Sequence, residues 1–260
     1  GFNFGALAAQ GDAEQEFYLV YAKADHEGLN GMEITSIASG YTAGSYKNYP
    51  AHVQQSIYAI YGSFSQNGSN GVQVNNVASD GAALDQTVFL YGLDISHNAN
   101  YGVSEYSYAA GTSPAMPTHV YADIQVLNSV VDHNGNSGIY QYSQSVGATN
   151  QRSHTTVTDT DVSYNGSDGF VNEAVSGGYY ATNLQYVTIS GSTFDHNSGS
   201  GAYFGAYDAY GPGPYGFAGH IVTISDSDFS HNTHDGLTAS AEATGENGRA
   251  EQYFTIQDSN

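Results

Sequence analysis

One spacing constrains this chain more than any other. An Asn, once a Glu, stands four residues before a Gly in seven places along 260 residues. The pairs are Glu27/Gly31, Asn67/Gly71, Asn98/Gly102, Asn134/Gly138, Asn165/Gly169, Asn197/Gly201 and Asn232/Gly236. Successive Asn-type positions are 40, 31, 36, 31, 32 and 35 residues apart, so the period varies while the local frame does not. Three residues before the Asn-type position stand Ala24, Phe64, Ile95, Val131, Val162, Phe194 and Phe229. Eight before it stand Leu19, Ala59, Leu90, Val126, Val157, Ile189 and Ile224; ten before it stand Phe17, Ile57, Val88, Ile124, Thr155, Val187 and Val222. Just after the Gly come Met32, Val72, Val103, Ile139, Phe170, Ala202 and Leu237. Thr155 is the single polar residue in these four columns.

The two columns at −10 and −8 are the alternation of a strand, and no stretch sustains a helical period. A coil this short cannot bury its own apolar face, but stacked coils bury one another's. The columns therefore predict an all-β chain, a right-handed parallel β-helix of about seven full coils with partial coils at both ends, stacked at about 4.8 Å per coil. The recurrent Gly, at positions 31, 71, 102, 138, 169, 201 and 236, predicts a backbone conformation that a Cβ would strain. The column Glu27, Asn67, Asn98, Asn134, Asn165, Asn197 and Asn232 predicts a ladder of amides bonded along the axis, which also caps the turn backbone. Asn67-Gly-Ser and Asn165-Gly-Ser match the glycosylation sequon, yet the ladder should hold both amides inside.

Residues 1–260 read as a single β-helix domain. Gly1–Ala6 repeats the pattern of Gly201–Ala206, while Phe254 and Ile256 fill the first two apolar columns of an eighth coil. The expectation is a segment of a longer solenoid, or a chain whose ends dock on other copies, with unpaired strand edges as the assembly surface.

Composition narrows the partners. Four Lys and Arg stand against 25 Asp and Glu, a formal charge of −21. Nucleic acid is excluded as a partner, because phosphate binding needs clustered cations. No apolar span is long enough for a membrane helix, so membrane insertion is not expected. Charged residues are only 11 % and hydrophobic ones 40 %, which separates the chain from a disordered acidic tail. Cys is absent, and repetition takes the place of disulfides. An acidic, Lys-poor surface rich in Asn and Tyr fits an extracellular bacterial protein.

The turns His133-Asn134-Gly135-Asn136-Ser137-Gly138-Ile139, Tyr164-Asn165-Gly166-Ser167-Asp168-Gly169-Phe170 and His196-Asn197-Ser198-Gly199-Ser200-Gly201 resemble those of the pectate-lyase-like parallel β-helix superfamily. They are similar to its carbohydrate-binding and sugar-hydrolase repeats and to the coils of mannuronan C-5 epimerases. The resemblance covers nearly the whole chain and implies the fold. These residues build turns and ladders, so for function it implies only a polysaccharide partner as a candidate.

No residue is given a catalytic assignment and no cofactor is assigned. Asp25-His26-Glu27 is superficially similar to the Asp-x-His-Glu cluster of alginate epimerases but lacks the intervening residue, and it falls in the turn frame. His26, His97, His133, His196 and His231 share the column before the Asn, where a repeat copies any residue it contains; a metal reading of that column stays open. Calcium is a candidate ligand of the oxygen-bearing Asp159, Asp161, Asp168 and Asp235. Lys23, Lys47, Arg152 and Arg249 are too scattered to neutralise a polyuronate. The variable arms are assigned Tyr41, Tyr46, Tyr49, Tyr106, Tyr108, Tyr207, Tyr210 and Tyr215, which could stack on sugars or anchor a protein surface. The leading expectation is a structural or adhesive segment of a secreted surface protein, stacking end to end with itself into a filament. The alternative is a polysaccharide-binding or polysaccharide-active β-helix, marked by a groove where acidic residues break the repeat frame.

Overall fold

The computed structural model describes residues 1–9, 11–40, 51–209, 216–244 and 247–260. Sixteen strands form two parallel sheets of eight. Sheet A holds β1 (Phe2–Ala8), β3 (Met32–Ser39), β5 (Val72–Ser79), β7 (Val103–Gly111), β9 (Ile139–Gly147), β11 (Phe170–Gly177), β13 (Ala202–Ala209) and β15 (Leu237–Ala243), in that order. Sheet B holds β2 (Asp12–Val20), β4 (His52–Ser63), β6 (Ala83–Asp94), β8 (Thr118–Leu127), β10 (Thr149–Thr158), β12 (Ala181–Ser190), β14 (Phe217–Ser225) and β16 (Arg249–Gln257). Each strand pairs with the strand two further along the chain, so the chain winds as a parallel β-solenoid of about seven turns. A third, much shorter face consists of parallel bridges, Lys23 to Ser63 and the run Asp94, Val130, Asp161, Thr193, Asp228. Among the described residues no helix is long and apolar enough to cross a membrane.

The apolar columns lie inside. Met32, Val72, Val103, Ile139 and Phe170 start the strands of sheet A and point inward against Ile57, Val88, Ile124 and Val187 of sheet B. The column three residues before the Asn fills the corner between them, with Phe64, Ile95, Val131, Val162 and Phe194 fully buried. Each such side chain contributes roughly 1.5–3 kcal/mol by leaving water. Two columns of left-handed backbone recur in all seven coils. One is the column His26, Gln66, His97, His133, Tyr164, His196 and His231, all with φ between 52° and 64°. The other lies six residues before the Asn: Tyr21, Tyr61, Gly92, Asn128, Asp159, Gly191 and Asp226.

The recurrent Gly corrects the expectation of a strained backbone. None of Gly31, Gly71, Gly102, Gly138, Gly169, Gly201 and Gly236 has a positive φ. The reason for Gly is space. A Cβ at Gly31 would stand 2.7 Å from Asn67 Nδ2, and one at Gly71 would stand 2.8 Å from Asn98 Nδ2 and 2.4 Å from Ile95 Cγ2. The same contact recurs from Gly102 to Asn134 Nδ2 at 2.8 Å, Gly138 to Asn165 at 2.7 Å, Gly169 to Asn197 at 2.8 Å and Gly201 to Asn232 at 2.7 Å. Gly is needed there because the next coil's amide packs directly on its backbone. Gly236 differs, since among the described residues no Asn amide packs on it. A Cβ there would meet only its own turn, with Phe229 O at 3.0 Å, so Gly236 keeps the pattern of the column without its tightest contact.

Away from the Asn turn the interior becomes polar. Glu105 is fully buried on β7 and accepts hydrogen bonds from Ser107 Oγ and from Gln141 Nε2, the latter at 3.3 Å. Gln141 Oε1 accepts from Thr155 Oγ1 at 2.7 Å and Asn172 Nδ2 at 2.8 Å, and Asn172 Oδ1 lies 2.7 Å from His220 Nε2. Burial pushes the Glu105 carboxyl up to about 7, against the pull of its hydrogen bonds from Ser107, Asn76 and Gln141. Burial likewise holds the His220 imidazole down to about 3.

Candidate functional site

The outer face of sheet A breaks the repeat. One outward column runs Glu33, Gln73, Ser104, Tyr140, Val171, Tyr203; the next runs Thr35, Asn75, Tyr106, Tyr142, Glu173, Gly205; the third runs Ile37, Val77, Tyr108, Gln144, Val175, Tyr207. Tyr106 and Tyr142 stack with centroids 5.5 Å apart and planes 4° apart. At the turn-side edge Tyr101 and Tyr140 stack at 4.7 Å and 17°. The Tyr203 and Tyr207 hydroxyls are hydrogen-bonded to each other. Gly205 makes room for this arrangement, because a Cβ there would stand 2.6 Å from Tyr207 Cε2.

Glu173 sits among these rings on β11. It is half-buried, and Tyr140 Oη donates to its Oε2 at 3.4 Å. Burial raises the Glu173 carboxyl above the usual range, and the Tyr140 bond opposes that shift only in part. Burial, followed by the field of Glu173, raises the Tyr101 and Tyr140 phenols. Tyr142 and Tyr203 are raised by burial first, then by their tyrosine neighbours and Glu173. The result is a flat aromatic surface with one carboxyl at its centre and several hydroxyls at its rim. Such a surface offers apolar ring faces together with hydrogen-bond donors and acceptors.

Sheet B carries a second departure from the repeat. Asp85, His119, Val120, Tyr121, Asn150 and Arg152 line an open groove of about 350 Å³. Asp85, Tyr121 and Arg152 occupy one column on successive coils. His52 Nε2 lies 2.9 Å from Asp85 Oδ2, and His154 stacks on Tyr186 at 4.6 Å. Arg152 is exposed and has no ion pair among the described residues. Burial raises the Tyr121 phenol, with Asp123 and Asp85 adding to the shift.

Comparison with known proteins gives a remote likeness only. No protein-family model matches the chain, and no curated protein matches it. Among solved structures it is similar to a periplasmic alginate epimerase at 10 % identity and a TM-score of 0.27, over 96 % of this chain and 74 % of that one. It is also similar to the A-module of the Azotobacter vinelandii mannuronan C-5 epimerase AlgE6, at 11 % identity and a TM-score of 0.25, over 96 % of this chain and 79 % of that one. Scores this low carry no site residue across, so the site is argued from the chain's own geometry.

The Asn column forms a continuous ladder. Asn67, Asn98, Asn134, Asn165 and Asn197 each donate Nδ2 to the Oδ1 of the next Asn, at 2.9–3.1 Å. Each Oδ1 also accepts the backbone N–H of the residue one coil earlier, as from Asn98 N to Asn134 Oδ1 at 3.1 Å. Glu27 joins only through its backbone, donating N–H to Asn67 Oδ1 at 3.0 Å. The sequon residues Asn67 and Asn165 are both buried. The Asp25 carboxylate reaches to the next coil, where Ser63 Oγ at 2.6 Å and Ser65 N at 3.0 Å donate to it, with Lys23 of its own coil beside it; burial raises the group, and these contacts together outweigh burial and lower it.

Of the oxygen-bearing aspartates, Asp159 occupies a left-handed corner and Asp161 the bridged third face. Asp168 Oδ1 accepts from Ser200 N at 2.6 Å, and Asp235 Oδ2 from Thr238 Oγ1 at 3.4 Å. These four do not gather into one group of donors among the described residues. The tyrosine assignment changes in part. Tyr106 and Tyr108 lie within β7 and Tyr207 within β13, so they belong to sheet A and not to the arms. Tyr41, Tyr46, Tyr49, Tyr210 and Tyr215 lie outside the described residues. Tyr101, Tyr140, Tyr142, Tyr203 and Glu173 were missed. The available signal was the i, i+2 spacing of Tyr106/Tyr108 and Tyr140/Tyr142, which puts both rings of each pair on one side of a strand.

Proposed function

We propose that this chain is a secreted polysaccharide-binding β-solenoid that holds an uncharged sugar chain against the outer face of sheet A. The carrying observation is the set of tyrosines around Glu173 at positions where the rest of sheet A bears unrelated side chains. Aromatic faces stack on the apolar side of sugar rings, and the phenols and the Glu173 carboxyl are placed to bond hydroxyls. An uncharged polymer fits better than a polyanion, because a chain of charge −21 repels one. A screen of neutral and uronate polysaccharides, with analysis of the polymer afterwards, tests the reading. Retention of a neutral polymer, weakened in Tyr142→Ala and in Glu173→Gln, supports it. Retention indifferent to both substitutions overturns it. Cleavage or epimerisation of the polymer would replace binding with catalysis.

A second reading, self-association into an adhesive filament, draws on the last coil described. There Ile224, Phe229, Leu237 and Ile256 surround an opening of about 180 Å³ beside the unpaired edges of β15 and β16. An open parallel edge with apolar side chains accepts a further coil, from the same chain or from another copy. Sedimentation over a concentration series tests it: a monomer throughout counts against the filament.

A further inference from the structure

The left-handed turn column carries side chains that the polysaccharide reading does not use. His97, His133, Tyr164, His196 and His231 stack one above another at 4.8–5.2 Å, with planes within 18°. The residues just before them alternate as Ser96, Asp132, Ser163, Asp195 and Ser230. At one level the two rows combine. Asp195 Oδ2 lies 3.0 Å from His196 Nδ1, the His231 ring stacks above at 5.1 Å, and Ser230 Oγ lies 2.9 Å from His231 Nδ1. One donor atom from each of Asp195, His196 and His231 lies within 4.8 Å of the others.

We propose that Asp195, His196 and His231 form a site for a divalent transition-metal ion of the zinc class. Two imidazoles and a carboxylate suit zinc, copper or nickel, whereas calcium and magnesium prefer all-oxygen sets. Bonds of about 2.0–2.2 Å require the donors to close to about 4 Å or less. Both rings are exposed, so a rotation of the side chains supplies that movement without disturbing the coil. The backbone that holds them is fixed, since the Asn197 and Asn232 amides immediately following are joined in the ladder. With three protein donors the ion keeps an open position for water. The net charge of −21 favours accumulation of cations at the surface.

The same turn two coils earlier supplies an internal control. Asp132 Oδ2 lies 3.0 Å from His133 Nδ1, matching the Asp195–His196 pair, and Ser163 matches Ser230. There Tyr164 stacks over His133 at 5.2 Å where the upper level has an imidazole. His97 lies below His133 at 4.9 Å, but with Asp132 the two do not gather three donors at the same spacing.

The proposal is independent of the polysaccharide reading. Its test is calorimetric titration of the whole chain with zinc alone, joined by cobalt absorption to report the ligand field, and circular dichroism to show that variants keep their strands. The expected result is one zinc per chain, weakened roughly tenfold or more by His196→Ala or His231→Ala and unchanged by His133→Ala. Tyr164→His, which sets an imidazole over the Asp132–His133 pair, is expected to add a second equivalent. Zinc uptake that survives both upper Ala substitutions, no saturable uptake at all, or no second equivalent in Tyr164→His would each overturn the proposal.

Discussion

The Asn turn and the outer face of sheet A are made by the same coils. At the turn, Asn67, Asn98, Asn134, Asn165 and Asn197 follow one another without exception, each amide bonded to the next. One strand away, the corresponding outward positions read Asn75, Tyr106, Tyr142, Glu173 and Gly205. The difference follows from what each position touches. An inward side chain meets its own copy above and below, so a change on one coil leaves a neighbour's donor or cavity unfilled. An outward side chain meets water as well as its neighbours above and below, as in the Tyr106–Tyr142 stack, so the repeat constrains its chemistry less. Chemical likeness that appears there, as in the tyrosines around Glu173, is the feature on which the proposed polysaccharide contact rests.

That contrast can be broken most forcefully at the turn. Phe194→Ala should cost about 3–5 kcal/mol and Asn134→Ala about 3 kcal/mol or more, the latter by leaving buried donors of Asn98 unpaired. Tyr142→Ala on the outer face should change stability by no more than about 0.5 kcal/mol. Urea unfolding of the three variants reads both halves of the comparison.

Glu105 gives the next effect, because it is an inward position occupied by an acid. Its folded value of about 7 lies above the ordinary 4.5, so the folded chain keeps a proton that the unfolded chain releases. The stability it allows is fully present below about 4.5, falls as the pH rises to about 7, and is flat above that. The full span is roughly 3 kcal/mol. Unfolding midpoints followed from pH 4 to pH 8 should show this slope in the wild type and lose it in Glu105→Gln. The difference between the two chains removes the background from the remaining carboxylates.

Gly138→Ala sharpens the account of the turn. The added methyl meets Asn165 Nδ2 at 2.7 Å, so a loss of about 1–3 kcal/mol is expected from overpacking. Gly236→Ala, where no amide of the described residues packs on the backbone, should cost less than Gly138→Ala in the same urea series. Were strain at a left-handed residue the cause, both would show a positive φ, and neither does. The last of the losses falls on binding itself. Removing one ring of the Tyr106–Tyr142 stack should weaken retention of a neutral polysaccharide by about 1 kcal/mol, with no change in the unfolding midpoint.

The fold was legible because its inward columns are chemically uniform: four apolar residues, an amide and a Gly recur in register despite an irregular period. The cause of the Gly column was not, because a sequence does not distinguish a Gly chosen for its φ from one chosen for the space above it. Gly31, Gly71 and Gly138 are of the second kind, each lying under an Asn of the next coil. The second left-handed corner was also hidden, since Tyr21, Tyr61, Gly92, Asn128, Asp159, Gly191 and Asp226 share a conformation and not a side-chain type. That corner accounts for the position of Asp159 without a ligand. The tyrosine face was hidden for a related reason. Tyr106, Tyr108 and Tyr207 look like arm residues when only the first inward residue of each sheet A strand is recognised. The strands continue through them, and pairing across coils then brings in Tyr140, Tyr142 and Glu173. The Arg152 groove escaped notice because Asp85, Tyr121 and Arg152 share nothing but a column.

The chain has 23 Tyr and no Trp, so its near-ultraviolet signal belongs to tyrosine and the proposed surface can be watched directly. The decisive measurement is the near-ultraviolet circular dichroism of the wild type and of the double variant Tyr106→Ala/Tyr142→Ala during titration with a neutral polysaccharide that the chain retains. A saturable change in the wild type that disappears in the double variant, with unfolding unaltered, is the result this account predicts. A change that survives the double substitution, or retention of the polymer with no tyrosine perturbation, would contradict it.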